Sequence, residues 1–307
     1  MNVAPGARLV IIGNVNADLV VGPAAPWPEP GTETIVENME FRLGGSAGNA
    51  ALAAAAIGAP VTLVSNTGLD LVGNWLRGAF AHLDCRWEDS GEPTLVAVGI
   101  THPDGERTFF TPLVHLKDFT AELPRRVLAE VPAASIALIC GQHLLPALRP
   151  ALPNLQAAAR ARGLRVAVDP GWPPDGWTPA VRRESLAWLA EADEALLNEV
   201  EARGLSGEQD LTAAAARLLE RLPPGGVLVV KRGADGADAW RQSAGSLEQA
   251  HADAPSVQVA DTVGAGDTFN AAYLNARLNG LQLGECLMAG VSVASYAVST
   301  SPRRYRA

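Results

Sequence analysis

The chain has 307 residues, 48% of them hydrophobic, with 24 Lys and Arg against 33 Asp and Glu for a net charge of −9. That length and apolar content suit one large core, and a single α/β domain over residues 1–307 is expected. The acidic balance argues against a nucleic-acid or anionic-membrane surface and favours a small-molecule partner.

In chain order, Leu9-Val-Ile-Ile12 is an apolar run ended by Gly13. It predicts a buried strand of a parallel sheet that delivers Asn14, Asn16 and Asp18 to its C-terminal end, where ligands of open α/β sheets bind. The same cluster also has the composition of an Asx turn. Residues 20–41 hold Pro23, Pro26, Pro28 and Pro30, and then an alternating stretch over 32–37 predicts an exposed strand. Leu43-Gly44-Gly45-Ser-Ala-Gly-Asn49 runs into an alanine-rich helix over 50–57, closed by Gly58. After a strand at 61–64, residues 94–110 alternate again and break at Pro103-Asp-Gly105, a hairpin signal. These two segments predict a small sheet, about 15–43 and 92–116, that projects from the main body. Beyond it strand-like runs (136–140, 166–168, 195–197, 227–230) alternate with helical stretches (152–162, 183–190, 211–222), the pattern of a parallel sheet with helices on both faces. The last distinctive stretch is Asp261-Thr-Val-Gly-Ala-Gly-Asp-Thr-Phe-Asn270. It predicts a turn feeding a helix, with the amides of 264–267 converging on a point that attracts an anion. Asp267 there is either an ordinary first-turn carboxylate or a proton acceptor beside that anion site.

Asp261-Thr-Val-Gly-Ala-Gly-Asp267 closely resembles the C-terminal signature of the ribokinase-like (PfkB) family of sugar and nucleoside kinases, and the resemblance spans nearly the whole chain. It implies a mostly parallel sheet flanked by helices, a small β-sheet lid over the sugar with Arg107 near its inner edge, and ATP-dependent phosphorylation of a sugar or polyol hydroxyl. Asp267 would be the catalytic base, with Gly264, Ala265 and Gly266 as the anion hole for the phosphoryl group. Gly13-x-x-x-x-Asp18 matches the sugar-binding element, so Asn14, Asp18, Gly44, Gly45 and Asn49 would contact the acceptor. Asn198-x-x-Glu201 matches the element associated with magnesium through water, a ligand set that suits a hard ion. Lys231-x-Gly233-x-x-Gly236 resembles the turn that lines the nucleotide. Asp169-Pro-Gly-Trp matches its family segment only in the first two residues, so no role carries over beyond a substrate-side influence.

Many family members bind potassium beside the anion hole, at positions matching Asp261 and Val263. Here the last helix is followed by Ser299-Thr-Ser-Pro-Arg-Arg-Tyr-Arg-Ala307, without the expected carbonyl-supplying segment. Arg303 and Arg304 bring positive charge instead, which predicts little dependence on potassium. A nucleoside kinase is the alternative acceptor class, with Trp27 and Phe110 as walls for a base, and a silent ligand-binding member is the alternative outside the enzymes. A P-loop and a dinucleotide fingerprint are both missing from the sequence. The five histidines are scattered, and Cys85, Cys140 and Cys286 lie too far apart for metal-ligand spacing. Buried thiols of a soluble cytoplasmic protein are expected, and the open edges of the small sheet predict a homodimer formed through it.

Overall fold

The structure is a computed structural model that describes residues 5–103, 107–243 and 246–306. Its central sheet begins with β1 (Leu9–Gly13), whose five residues are all buried. Successive side chains of a strand point to opposite faces. Val10 and Ile12 accordingly enter one apolar cluster, and Leu9 and Ile11 the other.

Two small-sheet strands come next, β2 (Asn16–Gly22) and β3 (Asn38–Gly44), followed by β4 (Val61–Gly68) and β5 (Asp84–Ser90) of the central sheet. The small sheet is completed by β6 (Val96–Thr101) and β7 (Arg107–Phe110). The central sheet then adds β8 (Ile136–Cys140), β9 (Arg165–Asp169), β10 (Glu194–Asn198), β11 (Val227–Lys231), β12 (Ala237–Ser243) and β13 (Ser246–Ala252). Its order is β13-β12-β11-β10-β9-β8-β1-β4-β5, parallel from β11 to β5, with β12 and β13 antiparallel at one edge. The four-stranded sheet has the order β3-β2-β6-β7.

Helices cover both faces of the large sheet, as the strand–helix alternation predicts. On the Leu9 side lie α1 (Ser46–Ala56), α2 (Leu71–Ala79), α8 (Ala265–Leu278) and α9 (Leu283–Val298). The Val10 side packs α3 (Glu122–Glu130), α4 (Leu152–Ala161), α5 (Pro179–Leu189), α6 (Glu199–Ser206) and α7 (Leu211–Leu219). None of the described helices is long and apolar enough to cross a membrane.

Two local expectations change. Residues 32–37 form no strand; regular pairing starts at Asn38, where β3 meets Gly22 of β2. The alanine-rich helix starts at Ser46 rather than at residue 50, because Gly45, with φ of 85°, turns the chain sharply out of β3. The hairpin turn expected at Pro103-Asp-Gly105 falls partly outside the described residues, as does the Arg107 side chain; β6 and β7 themselves pair antiparallel.

Candidate active site

Strand order reverses at β1, and a cleft opens beyond the C-terminal ends of the strands around it, the usual place for a ligand in such a sheet. Register fixes what reaches that edge. Gly13 pairs with Cys140 and Cys140 with Asp169, while Asn198 pairs with Lys231. A cavity of about 660 Å³ lies there, lined by Asp169, Asn198, Glu201, Lys231 and the turn from Gly264 to Asp267.

The turn into α8 depends on Gly264, which holds φ at 72°. A Cβ at that point would stand 2.9 Å from both Arg303 Nη1 and Asn49 Nδ2, so a larger residue would strain the backbone and push both side-chain ends aside. The Ala265 amide donates to the Thr262 carbonyl (3.1 Å). Among the described residues, the amides of Gly264, Gly266 and Asp267 have no protein acceptor, and these residues line the cavity. Open amides at a helix N-terminus favour an anion.

Asp267 sits in that first turn, and its Oδ2 accepts a hydrogen bond from Asn49 Nδ2 at 3.1 Å. The Asn49 side chain, expected on acceptor hydroxyls, is thus engaged with this carboxylate. Burial, and then the charge of Asp169, push the Asp267 pKa up to about 7 against the opposing pull of Asn49, Lys231 and Arg303. Below it lies a network the sequence did not reveal. Asp169 Oδ2 accepts from Lys231 Nζ at 2.7 Å and from Asn270 Nδ2 at 2.5 Å, and Lys231 Nζ also reaches Asn270 Oδ1 at 3.2 Å. Lys231, expected along the nucleotide, therefore sits beneath the turn with its charge engaged by Asp169. Burial lowers its pKa, yet Asp169 and Glu201 outweigh that and raise it. The only sequence signal for Asn270 is its spacing of three from Asp267, which puts both on one side of α8.

Glu201 and Asn198 form a reciprocal cap of α6: Glu201 Oε2 accepts the Asn198 amide and Asn198 Oδ1 accepts the Glu201 amide, both at 2.8 Å. Both residues also line the cavity. Burial and then Asp169 raise the Glu201 pKa to about 7. Two buried carboxylates, Asp169 and Glu201, and the half-buried Asp267 thus face one ammonium, Lys231. Among the described residues no group of three or more acidic, His or Cys side chains is placed to hold a metal directly, so a hard dication here would be held through its own waters by Glu201 and Asn198. Gly233 and Gly236 also line the cavity, and Arg232 N donates to the Gly236 carbonyl to close their turn. The far wall is apolar, with Val257, Val259, Val291 and Val298, none of which carries a sequence motif.

On the other side, a ladder of amides runs from Asn14 Nδ2 to Asn16 Oδ1 (3.2 Å) and from Asn16 Nδ2 to Asp18 Oδ1 (2.7 Å). Asp18 is buried; desolvation raises its pKa to about 6 despite the nearby Arg42 charge. Gly44 lies so close to the Asp18 carboxylate that any Cβ would collide with it, and a Cβ on Gly45 would strike Asn14. Asp18 pairs with Arg42 and Ala97, so these three share a face of the small sheet. Phe110 pairs with Val98, and Val98 with Leu19, on the opposite face. Trp27, stacked on Phe110 at 6.5 Å, lies there too. The proposed base-stacking walls therefore face away from Asp18, and it is Phe109 that shares the Asp18 face.

The tail folds back onto the signature turn. Asp261 Oδ2 accepts from Arg42 Nη1 at 2.6 Å and from Arg303 Nη2 at 3.1 Å, while Asp261 Oδ1 accepts the Val263 amide at 3.0 Å. Of the three tail arginines only Arg303 turns inward; Arg304 and Arg306 are exposed.

The description pfkB family carbohydrate kinase matches residues 7–304. Ribokinase of Haemophilus influenzae is 26% identical over 303 residues, 95% of this chain and 92% of that protein. Fructokinase of Klebsiella pneumoniae is 31% identical over 241 residues, 75% of each chain. The solved structure of Arabidopsis thaliana ribokinase complexed with ribose and ATP superposes with a TM-score of 0.80 at 26% identity, covering 96% of this chain and 93% of that one. Sequence motifs, fold and these likenesses agree, and the chain belongs to the pfkB family of carbohydrate kinases.

Proposed function

We propose that this kinase transfers the γ-phosphoryl group of ATP to a hydroxyl of a sugar or related small polyol, with Asp267 as the general base. The observation that carries this reading is the Asp267 carboxylate itself, half-buried in the first turn of α8, held by Asn49 and set beside the open amides of Gly264 and Gly266, with a pKa raised to about 7. A base is most effective when its pKa lies near the working pH.

In this reading the acceptor hydroxyl gives its proton to Asp267 while its oxygen attacks the γ-phosphorus. The bond from that phosphorus to the oxygen bridging to the β-phosphate breaks, and ADP leaves. The amides of Gly264 and Gly266, with Ala265 shaping the turn, stabilise the charge on the moving phosphoryl group. Asp18, held by the Asn14–Asn16 ladder, accepts hydrogen bonds from acceptor hydroxyls, with Gly44 and Gly45 allowing close approach and Asn49 orienting the base. The small sheet, about 15–43 and 92–116, closes over the acceptor. The nucleotide lies along Lys231, Gly233 and Gly236, its base against the valine wall. Magnesium, bound through water at Asn198 and Glu201, neutralises phosphate charge when present. With Asp261 held by two guanidinium groups, potassium has little part to play. ATP as donor makes the cytoplasm the expected place of action.

The experiment is a screen of sugars, polyols and nucleosides at fixed ATP, read as ADP release. At least one sugar or polyol is expected to raise the rate well above the background without acceptor; a response confined to nucleosides would overturn the acceptor class.

A further inference from the structure

A second cavity, of about 280 Å³, opens between α5, α6 and α7 on the Val10 side of the sheet. Four arginines line it: Arg182 and Arg183 from α5, Arg217 from α7 and Arg221 just beyond it. In a chain of net charge −9 such a gathering of like charge is unexpected. Arg217 pairs with Glu208 at 2.7 Å. Among the described residues, the side chains of Arg182, Arg183 and Arg221 have no ion pair or hydrogen bond. Arg182 is the sharpest case, since its Nε is sealed from solvent and has no partner. A buried donor on a charged group is costly when unmet, so the guanidinium is built for something that arrives from outside.

We propose that this cavity is a binding site for a small phosphate-bearing anion. Several guanidinium forks converging from two helices and a helix end match tetrahedral phosphate oxygens better than they match a single carboxylate. Pro179, in the first turn of α5, lines the same cavity, and a helix N-terminus also favours negative charge. The volume is less than half that of the main cavity, which suits inorganic phosphate, pyrophosphate or a sugar phosphate rather than a whole nucleotide. The site is separate from the catalytic one. Helix α6 runs between them, with Asn198 capping its start in the main cavity and Ser206 ending it here, about 12 Å away at 1.5 Å per residue.

The test is calorimetric titration of the full chain with inorganic phosphate, pyrophosphate and a hexose 6-phosphate, with acetate as the carboxylate control. None of the arginines belongs to the catalytic machinery, so the assay stands whether or not the kinase reading does. The wild type is expected to bind at least one phosphate probe, and the double variant Arg182→Ala with Arg221→Ala to bind it about tenfold more weakly with an unchanged unfolding temperature. The tightest probe identifies the source. Arg221→Glu, at an exposed position, is a second variant that should weaken binding without touching the fold. Affinities equal in wild type and variants, no binding at millimolar probe, or acetate binding as well as phosphate would each overturn the proposal.

Discussion

Asp169 acts on the proposed base and on Glu201 without lying in the signature turn. Its charge raises the pKa of both Asp267 and Glu201, and its Oδ2 holds Lys231 and Asn270 in place. Asp267 accepts a proton only when ionised. Because its pKa is raised to about 7, kcat/KM should climb with pH through about 7 and level off above it. Asp169→Asn removes a like charge, so the climb should move to lower pH while the plateau falls, Lys231 having lost its main partner. A pH–rate profile of the two proteins decides it: an unmoved limb would mean that Asp169 does not tune the base. Glu201 makes a separate prediction. Its Oε2 already caps α6, so Glu201→Gln keeps a group able to accept the Asn198 amide but loses the charge. The magnesium concentration for half-maximal rate should rise about tenfold, as for loss of an outer-shell partner; an unchanged titration would move the ion elsewhere.

At the scale of elements, the tail after α9 brings Arg303 onto Asp261, and we propose that this guanidinium stands where family members hold potassium. Potassium at Asp261 would meet Arg303 and Arg42, both already on that carboxylate. Two unit charges 5 Å apart repel by about 3 kcal/mol at an effective dielectric near 20. The wild-type rate should therefore be nearly the same in potassium and in a bulky organic cation at equal ionic strength, and Arg303→Ala should be slower and newly activated by potassium. Strong potassium activation of the wild type would refute this account of the tail. The arginine content of the tail was visible in the sequence, but not that Arg303 turns in while Arg304 stays out. Elements with strong apolar periodicity were legible: β1, β8, β10 and β11 lie within a residue or two of expectation. Polar edge strands were not. β5, Asp-Cys-Arg-Trp-Glu-Asp-Ser, is a strand because β4 pairs with it and not because of its own pattern. Site residues that sit inside a motif were legible for the same local reason, whereas Asp169, Asn270 and Arg42 acquire their roles only through contacts far along the chain.

For the whole molecule, the two sheets have different fates. The large one is buried under helices on both faces, while the small one leaves apolar side chains in solvent, with Met39 72% and Phe110 52% exposed. Exposed apolar patches and open strand edges invite cover by another copy of the chain. Sedimentation is expected to give a dimer that Met39→Glu with Phe110→Glu weakens, and a concentration-independent monomer would contradict it. In the proposed reaction both sheets serve one end, bringing an acceptor hydroxyl and a phosphoryl group together at Asp267. The most direct measurement is the turnover of Asp267→Asn with the acceptor found by the screen, alongside its ATP affinity. The account predicts a kcat lower by about 10²-fold to 10⁴-fold with ATP affinity and unfolding temperature nearly unchanged; turnover comparable to wild type would contradict it.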